Sequence, residues 1–298
     1  MNKPLSSKIL FYIQRYSHNI NLRYFLNFVL SKFLPSSKTR LAGLDFLKIE
    51  KSEEQIIGDL QKKGYSELGI TLDELVIAEL RKNLENLPCY KNDKKDGRLV
   101  DFNNLDDNDQ LGNYDRNDLC SIPQVISLAN DTKIINAVAK YLGVKPTISN
   151  VNCWWSFARR EKPKEAQFFH RDVDDFKFLK LFVYLTDVAA DSGPHVYIEG
   201  SHKRNQLIEL KRFTDQEVAE NYPAEDVITF ERPKGTCFIV DTYGIHKGLL
   251  PLNANRLLLQ IQYSYLPLYV ENYNPIKSDL FKLDQLDRYA NRLLLNNQ

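Results

Sequence analysis

Residues 178–202 read FLKLFVYLTDVAADSGPHVYIEGSH and decide the fold class. Two runs rich in aromatic, β-branched and leucine residues, 178–188 and 195–198, lie on either side of a segment rich in Asp, Ser, Gly and Pro. Runs of this length and composition, bounded by turn residues, are typical of β-strands. We therefore expect two consecutive strands joined by a turn.

Further strands are predicted on both sides of this stretch. Alternating or continuous apolar runs occupy 147–158, 168–172, 227–230, 236–241 and 256–265. One helix interrupts them, because Thr214-Asp-Gln-Glu217 has the pattern of a capping box. Many short strands that follow a helical first part favour a mainly β protein with helical flanks (α+β), built as a sandwich or jelly-roll barrel.

The first half of the chain has helical periodicity. We predict one helix over 53–64 that ends at Gly64, and another that opens with the capping box Thr71–Glu74 and ends before Pro88. Asn130-Asp131-Thr132 would cap a helix that finishes at Gly143. Between these helices, residues 91–118 are polar and rich in Asp and Asn, which predicts a long loop that is either a lid or plain surface.

The segment Phe168-Phe-His170-Arg-Asp172 carries the first candidate chemistry. Residues i and i+2 of a strand point to the same face, so His170 and Asp172 would project together into a barrel. His246 follows the predicted strand 236–241 after a short turn. Two imidazoles and one carboxylate form the facial set of ligands that non-haem Fe(II) oxygenases use, with open positions for a cosubstrate and O₂. His170, Asp172 and His246 are thus the predicted metal ligands and catalytic residues.

Arg256 opens the last predicted strand, ten residues after His246. A cation buried at that place needs an anionic partner to offset its desolvation. A guanidinium binds a carboxylate in a bidentate fork, so Arg256 is the expected anchor for a dicarboxylate cosubstrate.

These motifs, taken in order, make the chain resemble the phytanoyl-CoA dioxygenase-like family of Fe(II)/2-oxoglutarate-dependent oxygenases. The resemblance rests on Tyr141-Leu-Gly143, His170-Arg-Asp172, Leu181–Asp187, Ser192–His202, Lys234–Asp241, His246 and Arg256. It implies a double-stranded β-helix fold, Fe(II), 2-oxoglutarate and O₂ as cofactor and cosubstrates, and usually a hydroxylated product. Arg171 and Gly248 stand where the family commonly has Gln and a small hydroxyl residue, and Glu199 stands where it usually has Pro.

Several further residues are candidates for the same site. Asn152 and Tyr184 are expected to border the cosubstrate. His202, His195, Phe182 and Trp154 are expected either to support the metal ligands or to face the substrate. For the two histidines a hydrogen-bonded structural role is an open alternative, and for Phe182 and Tyr184 core packing is one.

Charge is distributed unevenly along the 298 residues. The net charge is only +1, which gives no general attraction to nucleic acid, so we expect no nucleic-acid partner. Residues 1–40 contain seven Lys and Arg and no Asp or Glu. Within this segment, residues 8–34 have an amphipathic helical pattern, which predicts either peripheral contact with an anionic membrane or packing on the barrel. The four cysteines show no paired spacing, which favours a cytoplasmic protein, possibly peripheral to the membrane.

The sequence therefore predicts a basic segment, 1–40, and one oxygenase domain, 41–298, made of helical support (41–143), a β-helix core (about 144–266) and a C-terminal extension (267–298). The expected activity is that of an Fe(II)- and 2-oxoglutarate-dependent dioxygenase that hydroxylates a small-molecule, lipid-linked or glycan-type substrate. An inactive metal-binding or scaffold protein with the same barrel, and a zinc hydrolase with the same ligands, are the alternatives.

Overall fold

The structure is a computed structural model that describes residues 5–91, 97–105, 109–158, 163, 165–277 and 283–296. Parts of the polar stretch 91–118, and the basic residues Arg159, Arg160, Lys162 and Lys164 beside the metal-ligand motif, lie outside the described residues. Within those ranges, no helix has both the length and the apolar character needed to cross a bilayer.

The strands are β1 Tyr65–Ile70, β2 Cys89–Lys91, β3 Leu111–Tyr114, β4 Thr147–Ser156, β5 Phe178–Tyr184, β6 His195–Ile198, β7 Val227–Phe230, β8 Thr236–Val240, β9 His246–Gly248 and β10 Arg256–Ser264. The helices are α1 Leu5–Tyr16, α2 Ile20–Leu30, α3 Glu53–Lys63, α4 Glu74–Glu85, α5 Arg116–Cys120, α6 Pro123–Ala129, α7 Thr132–Leu142, α8 Asp215–Asn221 and α9 Arg288–Asn291.

Two antiparallel sheets form the barrel. The larger has the order β1-β8-β5-β10-β4-β3-β2 and the smaller β7-β6-β9. Phe182 and Phe238 from the larger sheet pack with Tyr197 and Phe230 from the smaller one, so the two sheets face each other across an aromatic interior. This is the double-stranded β-helix arrangement, and the predicted fold class is confirmed.

The outer face of the larger sheet carries the helices. Leu181 and Val183 alternate with the inward-facing Phe182 along β5 and belong to the same buried cluster as Leu60 of α3 and Val138 of α7. Burial of each such side chain stabilises the folded state by about 2 kcal/mol, so this layer anchors the sheet that carries the candidate site.

Several predicted helix ends are confirmed. Gly64 and Gly143 end α3 and α7 in the left-handed conformation, and Thr214 forms a reciprocal capping box with Glu217. The helix expected from Thr71 begins instead at Glu74, with Asp73 as its N-cap. The reason is that the Thr71 amide bonds the Gly235 carbonyl beside the end of β1.

The structure also corrects three predictions. Residues 41–143 are not purely helical support, since they contribute β1, β2 and β3 to the larger sheet, and β3 lies in the stretch predicted to be a loop. The predicted strand 168–172 forms only isolated bridges, at Phe169 and His170. The N-terminal periodicity belongs to two helices rather than one, because the Asn19 side chain caps a new helix, α2.

Candidate metal centre

One backbone pairing brings the three predicted ligands together. His170 and His246 form an antiparallel bridge and exchange N–H···O bonds of 2.9 and 3.0 Å, while the Asp172 amide donates to the Thr242 carbonyl at 2.9 Å. The Nε2 atoms of His170 and His246 then lie 3.5 and 3.4 Å from the two carboxylate oxygens of Asp172. One ligand atom from each residue lies within 4.8 Å of the others, close enough to share one metal ion.

Hydrogen bonds to the backbone fix both imidazoles in the orientation that a metal requires. His170 Nδ1 lies 2.9 Å from the Phe168 carbonyl, and His246 Nδ1 lies 3.0 Å from the Gly244 carbonyl. A carbonyl oxygen only accepts, so each Nδ1 donates its proton, and Nε2 is the nitrogen that each ring can offer to a metal.

The electrostatics of the centre favour a divalent cation. Burial lowers the pKa of His246, which keeps this imidazole neutral. Burial alone would raise the pKa of Asp172, but the Lys180 ammonium beside it holds that pKa well below its usual range. Two imidazoles and one carboxylate are the donors that suit Fe(II) with open coordination positions, and the residues present fit that ion.

Lys180 is a member of this site that the sequence analysis missed. Its buried ammonium lies 2.7 Å from Asp172 Oδ2 and 2.9 Å from Asp174. On β5 it precedes the inward-facing Phe182 by two residues, so strand alternation could have identified it. Its effect is to hold one oxygen of the ligand carboxylate in place.

A cavity of about 500 Å³ opens from the three ligands. Its wall includes the predicted residues Asn152, Trp154, Phe182, His195 and Arg256. Gln260, which pairs with Asn152 across β4 and β10, was not predicted. Part of the stretch predicted to be a lid or surface loop belongs to the cavity wall, because Leu111 and Tyr114 of β3 line it. A volume of this size lies within the range of small-molecule sites.

Arg256 is buried in this cavity and has no counter-ion in the part of the chain that the structure describes. Its Nη1 donates to the Gly193 carbonyl and its Nη2 to Ser156 Oγ at 3.3 Å, while Nε has no hydrogen-bond partner. Among the described residues no carboxylate lies within 4 Å of it, and burial lowers its pKa. At Gly248 an added Cβ would come within 3.3 Å of Nη2, so glycine leaves space beside the guanidinium. A dicarboxylate such as 2-oxoglutarate fits this arrangement.

Two candidate residues lie elsewhere. The Tyr184 hydroxyl is fully used, since it donates to the Phe230 carbonyl at 3.0 Å and accepts from the His195 amide at 3.1 Å, and Tyr184 does not line the large cavity. His202 lies instead in a small cavity under α2, with Arg23 and Tyr141. Tyr184 shares the inner face of β5 with Phe182 but is packed in the aromatic interior, and His202 belongs to the short turn 201–203 that follows β6.

Two basic residues close to the metal ligands in the sequence, Arg171 and Lys177, bond backbone carbonyls of the protein itself. Arg171 is buried and donates to the carbonyls of Leu207, Tyr243, Arg204 and Gln206, and Lys177 donates to that of Tyr141. Arg171 therefore braces the 204–207 turn, and its side chain is not offered to a substrate. Its position between two ligands placed it in the motif, but its own side chain points to the opposite side, as i+1 does in an extended segment.

Comparison with known structures supports the fold. EctD from S. alaskensis with bound Fe has a TM-score of 0.54 at 15% identity, over 88% of this chain and 97% of that one. The non-heme α-ketoglutarate-dependent carbocyclase SnoK from nogalamycin biosynthesis has a TM-score of 0.53 at 17% identity, over 72% and 85%. No curated protein matches in sequence.

A family model adds evidence from the sequence itself. The model of phytanoyl-CoA dioxygenase (PhyH) matches residues 60–249. The match begins earlier than the resemblance quoted above, at the end of α3, and it contains all three ligands but stops before Arg256. Because it covers more than half of the chain, the chain belongs to the phytanoyl-CoA dioxygenase (PhyH) family.

Proposed function

We propose that this protein is an Fe(II)- and 2-oxoglutarate-dependent dioxygenase that hydroxylates a small-molecule, lipid-linked or glycan-type substrate. The observation that carries the proposal is the buried guanidinium of Arg256, which has no carboxylate partner among the described residues and lies in the same cavity as three convergent metal ligands. A metal-binding scaffold would gain nothing from burying such a cation, because its desolvation costs stability.

The residues divide the work as follows. His170, Asp172 and His246 hold Fe(II), with the imidazole Nε2 atoms and one carboxylate oxygen as donors. Arg256 binds the distal carboxylate of 2-oxoglutarate, and the space at Gly248 admits it. When bound, iron with 2-oxoglutarate and O₂ supplies the oxidising chemistry, which the protein directs by positioning the substrate.

His195 is suited to stay uncharged in this cavity. Burial lowers its pKa well below the usual value, and its Nε2 has no hydrogen-bond partner, while its ring lies 4.9 Å from that of Phe182. A neutral imidazole with an unpaired nitrogen can accept or donate one hydrogen bond. We assign it to the orientation of cosubstrate or substrate.

The rest of the wall suits a substrate with both polar and apolar parts. Trp154, Leu258 and Tyr114 offer apolar and aromatic surface, and Asn152 and Gln260 offer amides. Asp172 fills the carboxylate position, so no vacancy is left for a halide ligand, and hydroxylation is favoured over halogenation.

The test is succinate formation by anaerobically purified, Fe(II)-loaded protein with 2-oxoglutarate and O₂, screened against metabolites, lipids and glycans. We expect oxygen-dependent succinate, increased by one substrate class and matched by hydroxylated product. A protein that binds iron but forms no succinate with any of them would be a scaffold. Hydrolysis by the Zn(II) form that does not depend on oxygen would identify a hydrolase instead.

A further inference from the structure

The two N-terminal helices leave many of their large apolar side chains exposed. On α2 and the turn after it, six large apolar residues are exposed, and we call this surface the aromatic face: Leu22, Tyr24, Phe25, Phe28, Val29 and Phe33. α1 adds the exposed Tyr12 and Tyr16, whose rings stack 6.3 Å apart. A concentration of exposed apolar surface marks contact with another surface.

Polar side chains fix the direction in which this face points. Arg23 of α2 is buried and donates to the carbonyls of Asp175 and Phe176 at 2.6 and 2.8 Å. Gln14 of α1 is also buried and donates to Asp175 Oδ1 at 2.8 Å. Because the polar side of each helix is bonded to the barrel, the aromatic face is directed outward.

The charge around the aromatic face is positive. All seven charged residues in 1–40 are Lys or Arg, so the rest of the chain carries a net charge of −6. The Lys32 ammonium lies 4.7 Å from the centroid of the Phe28 ring, on the aromatic face itself. Aromatic rings at the headgroup level, with basic residues near the phosphates, are the combination that binds an anionic bilayer surface.

A second copy of the chain fits this surface less well. In a two-fold dimer the same patch faces itself, so the basic residues of one segment would meet those of the other. No acidic residue within 1–40 could offset that repulsion. Lipid phosphates would satisfy the same charges.

The N-terminal segment also flanks one approach to the metal centre. Arg15 of α1, with Lys211 and Arg212, lines a depression of about 380 Å³ that reaches Asp172 and Asp174. A bilayer bound at this segment would lie near that depression.

We propose that the aromatic face, together with Lys8, Lys32 and Lys38, is a peripheral binding site for an anionic phospholipid bilayer. The rings insert among the headgroups, and the ammonium groups pair with lipid phosphate and carboxylate. The proposal depends on neither iron nor 2-oxoglutarate.

Cosedimentation with sucrose-loaded vesicles tests it on the full-length protein. Vesicles of phosphatidylcholine alone are compared with vesicles containing one third phosphatidylserine, at low and high salt. We expect binding to the phosphatidylserine vesicles at low salt, and loss of most of it at high salt or without the anionic lipid.

Two sets of variants separate the apolar and charged contributions. Phe25→Ser, Phe28→Ser and Phe33→Ser together should lower the partition coefficient roughly tenfold or more. The matched control is Leu75→Ser, Leu252→Ser and Val270→Ser, three residues of comparable exposure (77, 51 and 63%, against 61, 63 and 82%) that lie outside the N-terminal segment. Lys32→Glu with Lys38→Glu should lower the partition coefficient by more than roughly 30-fold, since loss of each basic residue near an anionic bilayer costs roughly fivefold and each new carboxylate is repelled by the lipid charge. Lys62→Glu with Lys82→Glu is the control of equal charge.

Three results would overturn the proposal. The first is wild-type protein that stays in the supernatant with phosphatidylserine vesicles at low salt, and the second is a loss of binding in the control variants as large as in the test variants. The third is a dimer in solution that the three Phe→Ser changes dissociate. Light scattering of the protein without lipid detects such a dimer. All of the substitutions are at exposed residues, so the circular dichroism spectrum of each variant should match that of the wild type.

Discussion

Among the buried guanidinium groups, those of Arg23 and Arg256 are buried to nearly the same degree but have opposite surroundings. Arg23 and Arg256 are 3 and 5% exposed. Arg23 donates to three backbone carbonyls, those of Ser17, Asp175 and Phe176, and lies over the Tyr243 ring at 4.2 Å. Arg256 has one carbonyl and one hydroxyl as partners, an unpartnered Nε and a cavity in front of it.

The number of hydrogen bonds to each guanidinium distinguishes a structural arginine from one that can bind a ligand. A buried cation is stable when hydrogen bonds replace its hydration, as they do for Arg23. Where they do not, the chain loses stability and gains a place for an anion, as at Arg256. The metal centre follows the same logic, since one ligand atom from each of its three residues lies within 4.8 Å of the others.

Of the substitutions in the cavity, removal of a metal ligand should lower turnover the most. Loss of a residue that only supports a metal ligand typically lowers activity roughly 10- to 100-fold. Asp172→Ala and His246→Ala should each lower turnover by more than that. Both should also weaken iron binding, while the chain stays folded. Coupled succinate assays and metal analysis measure this. Asp174→Asn, beside the ligands but not one of them, is the control, and full turnover in either ligand variant would exclude this metal site.

Arg256→Met should uncouple function from stability. We expect KM for 2-oxoglutarate to rise roughly 10- to 100-fold, because one or two charge-assisted hydrogen bonds are lost. Without cosubstrate, the free energy of unfolding should stay the same or increase, since a buried unpaired cation is replaced by an apolar side chain. Steady-state kinetics and urea denaturation report the two effects. Arg256→Lys, which keeps the charge without the fork, should recover only part of the affinity.

Lys180→Met tests whether a cation is needed where the metal ligand is buried. The metal-free protein should lose about 3 kcal/mol, because Asp172 loses its closest positive charge. Saturating Zn²⁺ should restore part of that loss, since the metal then neutralises the carboxylate. Urea denaturation with and without Zn²⁺ measures the difference. An equal loss in both states would mean that Lys180 acts only through packing or Asp174.

Arg23→Met should have the opposite sign from Arg256→Met. It leaves the carbonyls of Asp175 and Phe176 without their donor and should lower the free energy of unfolding by about 2 kcal/mol. Because α2 would detach at its polar face, limited proteolysis near residues 17–19 should accelerate. If the two Met variants show the same stability, the contrast between the guanidinium groups is wrong.

The smallest expected effect is a pH dependence in the cavity under α2. Burial lowers the pKa of His202, with Asp241 acting in the other direction. Below the ordinary value of 6.5, the unfolded chain therefore binds a proton that the native one resists, and stability should fall as the pH decreases. The slope is at most about 1.4 kcal/mol per pH unit. Denaturation between pH 7.5 and 5 should show it, and His202→Asn should flatten the curve relative to wild type.

Local patterns in the sequence were sufficient for the elements that local chemistry determines. The ends of α3 and α7 follow from Gly64 and Gly143, α8 follows from its capping box, and β5 follows from a continuous apolar run. The strands β1 and β3 were missed because Tyr65–Ile70 and Leu111–Tyr114 are short and contain polar residues and glycine. They are strands because β8 and β4 offer them backbone partners.

The sequence by itself was sufficient to predict His170, Asp172 and His246 as metal ligands and Arg256 as the anchor for an anion, because side-chain type and order distinguish them. Only the tertiary structure decided what surrounds them. Lys180 bonds the carboxylate of Asp172, Arg171 bonds the Tyr243 carbonyl, and the Tyr184 hydroxyl bonds the Phe230 carbonyl. It also decided that α2 buries Arg23 and exposes Phe25. The physical reason is that periodicity records a helix or strand and its two faces, whereas the face that is buried depends on partners more than a hundred residues away.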